Sequence, residues 1–210
     1  MTKRIVSDFS IGSILPGGSK APCSYLGTGV KHQRRSTPAI FNTPLEEWID
    51  VPRSVGNLEV YLSHKIKAAK KPVNILDIGI GSGSQWLDFA KKHGFEIGVN
   101  FNIYGNDLGK RHVHPDLRSF VKSCPASKVH KFFEKGSMDF VVSHSGMHGE
   151  ALAGLENAIH LAKPGGEVIV SAHEFESKDV DFENPHFEVI SKRENEEHPG
   201  KIYGLHLRKK

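Results

Sequence analysis

The stretch Val73-Asn74-Ile75-Leu76-Asp77-Ile78-Gly79-Ile80-Gly81-Ser82-Gly83 constrains this chain more than any other. A short, mostly apolar run passes through an acid into three glycines at alternate positions. A run of that length and character is a strand buried on both faces. Glycines at that spacing let the backbone turn sharply and approach a ligand closely. A strand, a glycine turn and a helix in succession belong to open α/β sheets, which bind ligands beyond the carboxyl ends of their strands.

The residues that follow keep this rhythm. Ser84 to His93 is a helix with Trp86, Leu87, Phe89 and Ala90 available to the sheet. A second strand ends at Asn106-Asp107, and Ser119 to Lys122 is a weaker third. Met138 to Ser143 is a fourth. Glu150 to Ala162 is a periodic helix that stops at Lys163-Pro164-Gly165-Gly166, a tight turn. Glu167 to Ser171 is a fifth strand. The alternation then breaks: Phe187 to Ser191 and Ile202 to Leu207 are strands with a polar Pro-Gly connection between them, which predicts an antiparallel pair. The expected fold class is α/β, a mostly parallel seven-stranded sheet with an antiparallel C-terminal pair and helices on both faces.

Upstream, Thr43-Pro44 reads as the cap and first position of a helix, and Ser54 as the opening of another that runs to Lys70. Residues 1 to about 43 are rich in Gly, Pro and Ser without period. Residues 1–54 are therefore read as an irregular arm and a candidate lid, with Tyr25, His32, Arg34 and Arg35 as its polar groups, and 55–210 as the folded domain.

Bulk properties narrow the class. A chain of 210 residues, 38% apolar and 25% charged, suits one folded domain with a substantial core. It contains no apolar run of about 18 residues, so no membrane span is expected. Cys23 and Cys124 are too few for a disulfide framework, so both are read as reduced and the compartment as cytoplasmic. The formal charge is +4, with basic clusters at Lys31 to Arg35, Lys65 to Lys71, Lys110 to His112 and Arg208 to Lys210. These read first as solvated surface, and they leave an anionic acceptor or nucleic acid open as a partner.

Asp77 decides what kind of ligand the turn suits. A carboxylate a few ångströms from a pyrophosphate would cost on the order of 1–4 kcal/mol, depending on the local dielectric. The dinucleotide fingerprint also wants Gly or Ala where this chain has Ser84. A nicotinamide oxidoreductase is thereby disfavoured, and a ligand bearing positive charge and no phosphate is favoured.

The motif Leu76 to Gly83 resembles the first motif of the class I, Rossmann-like S-adenosylmethionine-dependent methyltransferases. The resemblance extends to Asp107 after the second strand, to Ser137-Met138-Asp139-Phe140-Val141-Val142-Ser143, to Leu161 to Gly166, and to the reversed final strand pair. It covers about residues 55 to 210. It implies S-adenosylmethionine as cofactor, with Asp77, Gly79, Gly81 and Gly83 at its methionine end, Asp107 on the ribose hydroxyls and Leu108 on the adenine. After the third strand that family usually has an acid or amide for the adenine; here Cys124-Pro125-Ala126-Ser127 stands instead, and Ser127 or a backbone carbonyl is the candidate. Ser143 would complete the cofactor side.

The resemblance also implies that the acceptor meets the methyl group beyond the fourth strand, at Ser143-His144-Ser145-Gly146-Met147-His148. His144 and His148 are the candidate bases there. No acid precedes Glu150 in this segment, so no metal site is expected, although His144/His148 and His112/His114 are spaced for one. The acceptor is unidentified. A small or medium-sized molecule is favoured over RNA or protein, because no aromatic and basic stacking platform is legible. A methyltransferase fold kept as a binding module is the alternative.

Overall fold

The structure is a computed structural model that describes residues 43–147, 149–194, 196 and 198–210. The expected lid residues Tyr25, His32, Arg34 and Arg35, the thiol of Cys23 and the candidate base His148 lie outside the described residues.

Among the described residues, eight strands form one sheet: β1 (Val73–Ile78), β2 (Phe101–Asp107), β3 (Val121–Ser123), β4 (Met138–His144), β5 (Ala162–Ser171), β6 (Phe175–Glu176), β7 (Phe187–Glu194) and β8 (Lys201–Lys209). The order is β3-β2-β1-β4-β5-β8, with β1 to β5 parallel and β8 antiparallel to β5. Ile202 of β8 pairs with both Phe175 and Glu194, so β6 continues the line of β5 while β7 closes the far edge. The expected sheet thus stands, with the two-residue β6 as an eighth strand that no sequence pattern announces.

Side chains alternate between two cores. Val73 and Ile75 of β1 join a cluster with Leu58, Leu62, Trp86 and Phe89, while Leu76 and Ile78 join Leu155, Ile159, Val168 and Leu205 on the other face. Helices α1 (Leu58–Ala68) and α2 (Ser84–His93) cover the first face and α3 (Ala151–Leu161) the second. In α2, Trp86 and Phe89 are buried as the sequence leads one to expect.

Three boundaries differ from expectation, each for a local reason. Val55 and Gly56 donate their N–H groups to the carbonyl of Pro52, and Gly56 has φ +66, so residues 52–56 form a turn. Helix α1 therefore begins beyond Ser54, after Asn57, whose side chain accepts from the Val60 N–H at 3.0 Å. Thr43-Pro44 opens only one 3-10 turn, Leu45–Glu47. Leu45 within it, and Trp48 and Val51 beyond it, pack into the core. Finally, Pro164-Gly165-Gly166 does not separate α3 from a later strand. It is an irregularity inside β5, with Gly165 at φ +77 and a register shift opposite Met138 and Phe140.

Candidate functional site

The glycine turn is held at the carboxyl ends of β1 and β2. Gly79, Gly81 and Gly83 all have positive φ, +82, +61 and +75, a conformation that side chains strain to adopt. The N–H groups of Gly79 and Ile80 both donate to the carbonyl of Asn106, at 3.0 and 3.1 Å, which fastens the turn to the end of β2. Gly83 caps α2; a Cβ there would meet Leu117 at 2.7 Å. The close approach at Gly79 is to the loop beyond β4, where a Cβ would lie 2.3 Å from the Cα of Gly146.

Asp107 grips this turn from the next strand. Its Oδ2 accepts from the Gly81 N–H at 3.2 Å and its Oδ1 from the Gly109 N–H at 2.9 Å. The side chain therefore caps its own loop and orients the glycine turn at once. Each oxygen keeps a lone pair for a further donor. Leu108 beside it is 78% exposed, the barest large apolar side chain among the described residues.

Asp77 sits lower than the sequence suggests. It is 1% exposed, and its Oδ2 accepts from the Trp86 indole N–H at 2.8 Å and the Gln85 amide at 3.4 Å. Burial pushes its carboxyl up to about 7; the two donors oppose that rise and the charge of Asp107 adds to it. Asp77 thus fastens the first turn of α2 to β1 from below. Gln85 donates in addition to the Ile80 carbonyl, at 3.1 Å, while its own Oε1 is buried without a partner.

Beyond β4, Ser143 is buried and turned inward. Its hydroxyl donates to the Ile78 carbonyl at 2.8 Å, and its Oγ lies 3.1 Å from Nε2 of His173. His144 points to the opposite face, stacked on Trp48 with ring centroids 4.9 Å apart and its Nδ1 3.0 Å from the Ser171 hydroxyl. Burial lowers its pKa, against the opposing field of Asp50. The imidazole is therefore neutral near pH 7 and able to accept a proton. Ser145 (φ +57) and Ala172 (φ +53) follow, two non-glycine residues in the left-handed region. They are tied together by the Ser145 N–H to the Ser171 carbonyl and the Ser145 hydroxyl to the Ala172 carbonyl, both 3.2 Å. Strain of this kind collects where a loop is held for function.

Ser127 follows β3 as expected, but the group it commits is its N–H, which donates to Glu150 at 3.0 Å. The structure thus brings Asp77, the three glycines and Asp107 to one end of the sheet, with His144 at the neighbouring strand end. The sequence reading named Gly146 but missed its approach to Gly79, and it missed Trp86 as the partner of Asp77 and Trp48 and Ser171 as the partners of His144. The Ser-Gly pair after a strand was a usable signal for the first; the rest depend on tertiary approach.

No family model matches the chain, and no curated protein sequence matches it. Solved structures do. A candidate sarcosine dimethylglycine methyltransferase of Galdieria sulphuraria is 11% identical with a TM-score of 0.50, over 72% of this chain and 83% of that one. The CMeT domain of the citrinin polyketide synthase is 12% identical with a TM-score of 0.50, over 74% of this chain and 52% of the other. Phosphoethanolamine N-methyltransferase 2 of Haemonchus contortus, solved with S-adenosyl-L-methionine, is 20% identical with a TM-score of 0.41. That match takes 57% of this chain and spans 29% of the Haemonchus enzyme. The two likenesses with a TM-score of 0.50, together with the strand order and the glycine turn, give the chain the fold of the class I, Rossmann-like S-adenosylmethionine-dependent methyltransferases.

Proposed function

We propose that the protein is a methyltransferase that binds S-adenosylmethionine over the glycine turn and passes its methyl group to a small or medium-sized acceptor beyond β4. The observation that carries this reading is the junction of Gly81 with Asp107. A turn whose three alternate glycines all lie in the left-handed region is joined at 3.2 Å to a carboxylate with lone pairs to spare, beside the bare Leu108.

The residues fit the group. The glycine turn can offer main-chain groups to the methionine end, Asp107 can accept from the two ribose hydroxyls, and Leu108 offers apolar surface to the adenine. When bound, S-adenosylmethionine supplies an activated methyl on a sulfonium. The chain's own residues then have to align the acceptor, a task that can lower a barrier by several kcal/mol. His144 is the described candidate for receiving a proton. Its neutral form is favoured by burial, and Ser171 and Trp48 fix its ring. Ser127 and Ser143 are retained as lesser cofactor candidates, through backbone groups, since Ser143 has its hydroxyl turned inward.

Isothermal titration with S-adenosylmethionine and S-adenosylhomocysteine tests the proposal. Saturable one-to-one binding of both is expected. No heat at high micromolar ligand would overturn it.

A further inference from the structure

On the wing of the sheet away from the glycine turn, a second set of reactive groups lines up across three elements. Glu167 on β5 is 4% exposed and His206 on β8 is 1% exposed, and Oε2 of Glu167 lies 3.2 Å from Nε2 of His206. The other ring nitrogen, Nδ1, lies 2.7 Å from Oγ of Ser54, which is exposed in the turn before α1. Ser191 of β7, the partner of His206 in the sheet, lies 2.5 Å from the same Oγ.

The proton positions follow from the chemistry of the groups. An ionised carboxylate only accepts, so Nε2 of His206 carries a hydrogen toward Glu167. In the neutral ring, Nδ1 is then the acceptor and takes the Ser54 hydroxyl hydrogen, and Ser191 donates to the Ser54 oxygen. Tyr61 and Lys65 of α1 donate to Glu167 at 2.6 and 2.9 Å and hold it ionised. A solvent-exposed hydroxyl is thus paired with a buried base whose tautomer is fixed by an acid. That is the arrangement that activates a nucleophile.

We infer that Ser54, His206 and Glu167 form a second reactive centre, separate from the proposed methyl-transfer site, in which Ser54 accepts an acyl group from an activated ester. In that step the Ser54 oxygen bonds to the acyl carbon and the carbon–oxygen bond of the ester breaks. The Ser54 proton passes to Nδ1 of His206 and leaves with the departing alcohol. The N–H groups of Val55 and Gly56, the two that follow Ser54, are both turned to Pro52, so neither forms an oxyanion hole. The centre is accordingly a slow acyl acceptor, and stoichiometric labelling is the measurement that suits it.

The test is incubation of the full chain with a fluorophosphonate probe, followed by intact mass and peptide mapping. The probe forms an oxygen–phosphorus bond to Ser54 and releases fluoride. One adduct per chain on Ser54 is expected, about 10²-fold faster than on the urea-unfolded chain, the gain a positioned base gives. Ser54→Ala should abolish it. Because Ser54 is exposed, Ser54→Cys should fold as the parent does and react with iodoacetamide faster at pH 7 than after unfolding. An adduct elsewhere, no adduct, or equal rates in folded and unfolded chains would overturn the inference. None of these results depends on S-adenosylmethionine binding.

Discussion

Gly79 and Gly146 meet backbone to backbone. A Cβ on Gly146 would stand 1.9 Å from the carbonyl oxygen of Ile78 and 2.7 Å from the Cα of Gly79. The turn after β1 and the loop after β4 therefore have no room for even one methyl between them. Gly146→Ala should cost at least about 3 kcal/mol, since the atoms in the way are main chain and cannot rotate aside. Urea unfolding measures it; a midpoint equal to the parent's would refute the contact.

Asp107 carries the most direct prediction about binding. Asp107→Ala removes the acceptor for Gly81 and Gly109 together with the proposed ribose contact. Affinity for S-adenosylhomocysteine should fall by about 10²-fold, as expected for losing charge-assisted hydrogen bonds. Asp107→Asn should recover part of the loss. Unchanged affinity in the alanine variant would exclude the ribose role.

Asp77 predicts a pH dependence of stability with an unusual sign. Its carboxyl lies near 7 in the folded chain against an ordinary 3.8. Between about pH 4 and 7 the folded chain keeps a proton that the unfolded chain has released. This contribution to stability is full below pH 4 and is lost as pH rises through 7. Asp77→Asn should remove the loss, so the variant should gain on the parent by up to about 4 kcal/mol at pH 8 and by little at pH 4. Thermal melts across that range would reveal a parallel pair of curves if the assignment were wrong.

Glu167 predicts the opposite slope. Burial would raise its carboxyl, but hydrogen bonds from His206, Tyr61 and Lys65 outweigh that and hold it at about 2 against an ordinary 4.5. The stability it contributes is present above pH 4.5 and lost as pH falls toward 2. Glu167→Gln should therefore cost about 3 kcal/mol at pH 7 and progressively less below pH 4.5. A cost independent of pH would show that packing, not charge, sets the effect.

Those two acids also mark how far the sequence could be read. β1 and α2 stand at the residues the pattern gave, because period and glycine spacing are local signals. Asp77 was legible as an acid in the right place. Its burial under Trp86 was not, because that depends on how α2 lies on β1. The start of α1 was misjudged at Ser54, since a turn closed by Pro52 resembles a helix opening in one dimension. β6 escaped notice because two residues carry no period. Trp48 against His144 joins positions almost a hundred residues apart, and no spacing rule reaches that far. Ser54, read only as a helix start, proved to face His206.

The partners of Glu167 carry one more consequence. A single carboxylate on β5 is gripped by Tyr61 and Lys65 from the first third of the chain and by His206 at its end, with Arg208 nearby. None of these partners reaches its bond until the chain has closed loops of tens to a hundred residues. Helix α1 and the antiparallel wing should consequently form late in folding and open together. Their amides should exchange with solvent as one block, ahead of the parallel strands β1 and β4.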